Sequence, residues 1–169
     1  MLRSGRGRVV AAVAAVAALL AVAGATAGQA ATRPAGTPGQ SSMAGQNIDD
    51  THYQAAEHEI SPASVGRLAP RWTLTTAGAI SATPTVYDGT VYVPDYGGKL
   101  WAVAAGSGQV LWSRDISTYT GVADDQSRTS PAVYDDELIL GDGWILSPNT
   151  SGARVFAVDR RTGQPQWST

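Results

Sequence analysis

Residues 83–93 read Thr83-Pro84-Thr85-Val86-Tyr87-Asp88-Gly89-Thr90-Val91-Tyr92-Val93, and the pattern returns 47 residues later as Ser130-Pro131-Ala132-Val133-Tyr134-Asp135-Asp136-Glu137-Leu138-Ile139-Leu140. Each copy continues alike. The first runs through Leu100-Trp101-Ala102-Val103 to Gly108-Gln109-Val110-Leu111-Trp112-Ser113, the second through Val155-Phe156-Ala157-Val158 to Gly163-Gln164-Pro165-Gln166-Trp167-Ser168. At the tryptophans the offset has grown to 55, which places eight extra residues of the second copy within Gly141–Ala153. Self-similarity at this period marks an array of supersecondary units, each too small to bury its apolar face alone.

Each unit has the pattern of four short strands. Val86–Val93 holds two β-rich runs split by Asp88-Gly89, a dipeptide that supplies the positive φ of a two-residue hairpin. The second copy has Asp135-Asp136 there, which tolerates that conformation less well. A third strand near Leu100–Ala104 ends at Gly106-Ser107-Gly108, matched by Arg161-Thr162-Gly163, and the fourth strand carries Trp112 or Trp167. Four antiparallel strands with a glycine and a tryptophan at fixed offsets describe a propeller blade. The indole offers a large apolar surface and one N–H, suited to covering a glycine turn of the adjoining blade. The fold class is therefore all-β, a partial β-propeller of about two four-stranded blades, at 82–116 and 129–169.

Composition agrees with a packed domain preceded by an address. The chain has 169 residues, 43% hydrophobic and 15% charged, without cysteine, so disulfides and thiolate metal sites are excluded. Residues 1–8 are basic and Val9–Ala23 uncharged and apolar, the pattern of a secretory signal peptide over 1–30, with cleavage preferred after Gly28-Gln29-Ala30. The product is then secreted, extracellular or periplasmic, with no membrane association after cleavage. Without Arg3, Arg6 and Arg8 the remainder has nine basic against fourteen acidic residues, which argues against a nucleic-acid partner. Residues 31–46, rich in Pro, Gly, Ser and Thr, read as a flexible lead-in to a propeller portion spanning 47–169. Within the latter, Ser61 as N-cap, Pro62 at the first helical position, and Val65 and Leu68 on one face predict a leading helix over 61–68 that packs on the propeller rim. A strand led by Trp72 follows over Trp72-Thr73-Leu74-Thr75-Thr76.

Ala102-Val103 with Ser107-Gly108 and Trp112, and Ala157-Val158-Asp159-Arg160-Arg161-Thr162-Gly163 with Trp167, resemble the tryptophan-docking repeats of pyrroloquinoline-quinone (PQQ) propellers. The first copy departs in having Ala104 for aspartate and Ser107 for threonine. The segment from His52-Tyr53 to Trp72 is similar to the start of quinoprotein alcohol dehydrogenases. With Ile80-Ser81-Ala82-Thr83-Pro84 and Ser127–Val133, it looks most like their polyvinyl-alcohol dehydrogenase branch. The resemblance implies PQQ on the propeller axis, one Ca²⁺ polarising its reactive carbonyl, an aspartate base and an alcohol substrate. It implies a cofactor contact for Arg128, whose planar donor fork suits developing negative charge, and for Thr129 and Ser130, whose hydroxyls equally suit strand caps. Arg128 has a second reading as the partner of Asp124 or Asp125.

Several departures limit what carries over. Val122 and Ala123 stand where the methanol-oxidising branch has adjacent cysteines, and Ser81 where that family has a PQQ-contacting glutamate. No residue here corresponds to the Ca²⁺ ligands or the catalytic aspartate, so neither a catalytic nor a metal residue is assigned. Asp124-Asp125, Asp135-Asp136-Glu137 and Asp142 read as turn and loop residues, and His52 and His58 lack a third zinc ligand. Asn149-Thr150-Ser151 is a formal glycosylation sequon. Two blades cannot close a ring, since propellers typically need about four to eight. The expectation is an N-terminal piece of a longer quinoprotein, inactive alone, with the rest of the propeller or other blades as partners. The competing expectation is a non-catalytic extracellular scaffold of the same repeats.

Overall fold

The computed structural model describes residues 39–143 and 153–169; the signal peptide expected over 1–30, residues 31–38 of the expected lead-in and the Asn149 sequon lie outside them. The described chain forms two four-stranded antiparallel sheets, each in simple sequential order. The first comprises β1 (Thr85–Tyr87), β2 (Thr90–Pro94), β3 (Lys99–Ala104) and β4 (Val110–Asp115). The second comprises β5 (Ala132–Tyr134), β6 (Glu137–Gly141), β7 (Val155–Asp159) and β8 (Pro165–Ser168). These are two successive propeller blades, the architecture the repeat predicts.

Local chemistry explains the ladders. Tyr87 pairs Thr90 across a two-residue turn in which Asp88 and Gly89 have φ of 48° and 71°, the double positive φ of a type I′ turn. In the second blade only Asp135 of the Asp135-Asp136 pair takes positive φ, at 51°, because two consecutive non-glycine residues in that region would be doubly strained. Trp112 pairs Ala102 and Trp167 pairs Ala157, and in both blades the register shifts at the next residue, Val103 or Val158. The bulge is thus part of the repeat.

The core lies between the sheets. Tyr92, Leu100 and Ala102 from one, Leu138, Leu140, Phe156 and Val158 from the other, and Ile116 and Tyr119 between them form one buried cluster. Burial of each large member contributes about 1.5–3 kcal/mol. Ile116 and Tyr119 belong to a feature with no sequence expectation, the short helix α1 (Ser117–Thr120), closed by Gly121 at φ 71°. The Tyr119 ring stacks on Phe156 at 5.1 Å, and its hydroxyl donates to the Gly163 carbonyl at 2.9 Å. Burial pushes the phenol well above its ordinary titration range.

The docking expected of the tryptophans is explicit for Trp112. Its ring lies on Gly163, where a Cβ would fall 2.7 Å from the indole, and its Nε1 donates to the Arg160 carbonyl at 3.2 Å. Trp72 repeats the arrangement one blade earlier, lying on Gly108 and donating to the Ala105 carbonyl at 2.8 Å. Both glycines have positive φ, 68° and 75°, so the turn needs glycine for its backbone as well as for the contact.

Three expectations are corrected. The leading helix over 61–68 contracts to one 3₁₀ turn, Val65–Arg67, with no buried residue, and Val65 and Leu68 are exposed instead of packed on a rim. Gly66 weakens the run, Pro70 restricts Ala69, and an isolated turn without a packed face does not propagate. Residues 72–76 alternate in exposure but join no ladder; Trp72 makes its contact without strand pairing. Residues 39–46 are held rather than free. Ser41 forms an antiparallel bridge with Val86 in β1, the Ser42 carbonyl accepts from the Val133 N–H of β5 at 2.8 Å, and Gln46 and Gln54 both donate to the Gln40 carbonyl.

Candidate functional site

The first strands of the two blades lie side by side, and hydroxyls tie them together. The Ser130 Oγ accepts the Thr83 N–H at 2.8 Å, while the buried Thr85 hydroxyl donates to the Pro131 carbonyl. These residues fall in Thr83-Pro84-Thr85 and its repeat Ser130-Pro131-Ala132, so each copy meets the other at the same point of the pattern. The Ser41–Ser42 segment bridges the same two strands.

The approach to β5 carries the sequence-assigned residues. Leaving α1 at Gly121, the chain runs as a connector to Pro131. The buried Ser127 hydroxyl donates to the Gly141 carbonyl at 2.6 Å. The Thr129 hydroxyl donates to the same carbonyl at 2.8 Å and accepts the Gly141 N–H at 2.9 Å. Two hydroxyls thus clamp the last residue of β6 and leave Arg128 fixed between them, exposed, with no hydrogen bond or ion pair among the described residues. The pairing of Arg128 with Asp124 or Asp125 is not formed.

The three residues therefore differ in what they can offer. Arg128 presents an uncommitted guanidinium. Ser130 spends its oxygen on Thr83 and keeps its proton to donate. Thr129 has its proton committed to Gly141, which is the strand-cap role. Ser81 pairs its hydroxyl with that of Tyr96 at 2.7 Å. Sequence reading did not find Ser127, although its spacing of two from Thr129 on either side of an arginine was a usable sign. It also missed Arg160, which lies buried at the blade junction. Its guanidinium faces Asp88 of the first blade at 3.5 Å and Asp136 of its own at 3.3 Å, and covers the Tyr87 ring at 5.0 Å.

A family model, PQQ_2, described as outer membrane protein assembly factor BamB, matches residues 60–169. The chain belongs to the PQQ_2 family. Curated proteins of two kinds are among those it resembles. The outer membrane protein assembly factor BamB of Alkalilimnicola ehrlichii is 40% identical over 84 residues, covering 50% of this chain and 20% of that protein. The dehydrogenase subunit of the alcohol dehydrogenase (quinone) of Gluconacetobacter polyoxogenes is 29% identical over 137 residues, covering 78% of this chain and 17% of that protein. Among solved structures, the quinohemoprotein alcohol dehydrogenase of Comamonas testosteroni aligns with a TM-score of 0.49 at 18% identity, over 80% of this chain and 28% of that one. The chain spans about a fifth of the length of the curated relatives it matches. No helix among the described residues is long and apolar enough to cross a membrane.

Proposed function

We propose that the chain forms the first blades of a secreted or periplasmic quinone-dependent alcohol dehydrogenase, in which the start of β5 faces the cofactor. The observation that carries this reading is Arg128, an exposed guanidinium held between two clamped hydroxyl residues and without a competing carboxylate. The alignment with the quinone dehydrogenase subunit supports it. At 78% of the chain it takes in residues upstream of the family match at 60, whereas the assembly-factor alignment covers half.

PQQ fits the chemistry of the donors present. Arg128 would donate to its oxygens, the Ser130 hydroxyl would add one further donor, and Thr129 would position Arg128 through Gly141. The bound quinone would supply the hydride acceptor for an alcohol carbon. The stretches Ile80–Pro84 and Ser127–Val133 favour the polyvinyl-alcohol dehydrogenase branch and hence a polymeric alcohol. Ca²⁺ would serve the same cofactor, but no residue of this chain is assigned as its ligand or as the base.

A second reading, a non-catalytic propeller scaffold that binds other proteins or blades, draws on the 40% identity to an assembly factor and on Trp167, which is 40% exposed. Calorimetric titration of the full chain with PQQ separates the two. Saturable binding that Arg128→Ala weakens by about tenfold, the scale of one charge-assisted contact, supports the cofactor reading. An absence of binding, or binding indifferent to Arg128→Ala, favours the scaffold. Dye-linked alcohol oxidation by this chain alone with PQQ and Ca²⁺ is expected to be absent.

A further inference from the structure

The registers set one row of side chains across each blade. Opposed residues of an antiparallel ladder share a face, so Thr85, Tyr92, Ala102 and Trp112 lie in line across the first sheet, and Ala132, Ile139, Ala157 and Trp167 across the second. The two rows are repeat copies, at offsets of 47 and 55. In the first blade this face is an interface: Tyr92, Leu100 and Ala102 are buried against Leu138, Leu140, Phe156 and Val158 of the second sheet, with Trp112 packed beside them. In the second blade the same face is bare. Tyr134, Val155 and Trp167 are 68%, 47% and 40% exposed, where their counterparts Tyr87, Leu100 and Trp112 are wholly or partly covered. An exposed apolar sheet face of this kind marks a contact surface.

The rest of the chain restricts what can cover it. The other face of the second sheet is taken by the first blade. On the far face of the first sheet Val93 and Val103 are already buried, and Trp72 lies on that blade's Gly108 turn. Gly163, the other turn that holds an indole, holds Trp112. A second copy joining in series would have to displace Trp72 before its own Trp167 reached a glycine, whereas the bare face meets its own duplicate with nothing displaced. We propose that two copies pack through the outward faces of their second sheets, about a two-fold axis running along the Ala132–Trp167 row, as an isologous dimer that closes at two chains.

Charge decides the axis. Tyr134, Glu137 and Asp159 form the row at one end of the face, and Gly141 and Val155 the row at the other. An axis along the strands would set Glu137 and Asp159 of one copy over the same two carboxylates of its partner, and like charges brought together at an interface repel. An axis along the central row sets them over the partner's Val155 instead, and lays β8 over β8 so that the two Trp167 indoles meet. Aromatic pairs of this kind add to the stabilisation from buried area. The Trp167 N–H is already given to Glu137 of its own sheet at 3.2 Å, so the ring can be covered without stranding a donor. The dimer depends on no quinone and on neither reading of the function.

Sedimentation equilibrium of the full chain from about 1 to about 100 µM, the range in which a modest interface assembles, tests it. The mass is expected to rise from 17.4 kDa toward twice that value and to stop there. Trp167→Asp and Val155→Asp each place a charge on the covered face and are expected to weaken the dimer by about tenfold or more; both residues are exposed in the single chain, and circular dichroism is expected to show the fold kept. Val155→Lys is expected to weaken it less than Val155→Asp, because the partner's Glu137 and the partner's Asp159 face that position. A wild-type mass that stays at one chain throughout overturns the proposal, as does one that passes two chains and grows further in Trp72→Ala, which is assembly in series. So does a dimer indifferent to both Asp variants, which retain the apolar run at 9–23 and would then be joined elsewhere. Equal losses in the two Val155 variants overturn the axis.

Discussion

The first blade is closed by an indole on each flank, and the second on one. Trp72 lies on the Gly108 turn of the first blade, and that blade's own Trp112 lies on the Gly163 turn of the second. Trp167, at the same register position as Trp112, is 40% exposed and gives its N–H to Glu137 of its own sheet at 3.2 Å. The strand that carries it, β8, is exposed throughout. Identical repeat positions therefore differ in energetic weight according to whether a glycine turn faces them, because an indole contributes through the area it removes from water.

The largest test of this contrast is truncation. Trp112→Ala is expected to cost about 2–3 kcal/mol, below the range for a fully buried aromatic because the ring is half-buried, and Trp167→Ala less than about 1 kcal/mol. Denaturant unfolding measures both, and equal losses would break the comparison. Next come two aspartates at one place in the repeat, Asp95 after β2 and Asp142 after β6. Buried Asp95 accepts from the Ala77, Gly78 and Lys99 N–H groups and from Trp101 Nε1–H, so Asp95→Ala strands four donors and is expected to cost about 2–4 kcal/mol; burial pushes the Asp142 carboxyl up, so Asp142→Asn at neutral pH is expected to be neutral or stabilising, and a matching loss there would show the two positions to be alike. The smallest effect concerns the outer turns. Asp159 caps its turn by accepting from Arg161 N–H, Thr162 N–H and the Thr162 hydroxyl, and the hydroxyl first among these holds its carboxyl below the usual range. Ala104 cannot do this. Ala104→Asp is expected to raise the thermal midpoint of the first blade modestly, by about 0.5–1 kcal/mol of stability, and no gain would place the difference elsewhere than in the turn.

What could be read from the sequence follows from where the determinants lie. Asp88-Gly89, Gly108 and Gly163, and the two tryptophans specify turns and contacts through residue type, so strands and docking were visible. The hold on residues 39–46 was not, because the Ser41–Val86 bridge and the Ser42–Val133 bond are made by backbone groups that any residue carries. The leading helix misled because its caps were good and its apolar face has nothing to cover. At the site, Arg128 was found through resemblance, but the division of labour among Arg128, Thr129 and Ser130 depends on which hydroxyl meets Gly141 and which meets Thr83, a matter of tertiary distance. The kinship of Asp142 with Asp95 was within reach, since the offset of 47 sets one beside the other.

Trp72 also governs what copies of this molecule can do to one another. A filament grown head to tail requires every unit to offer a vacant socket to the plug of the next, and here the socket at Gly108 is stoppered from within the same polypeptide. The indole at Trp167 of a second copy could therefore seat on Gly108 only after Trp72 had left it.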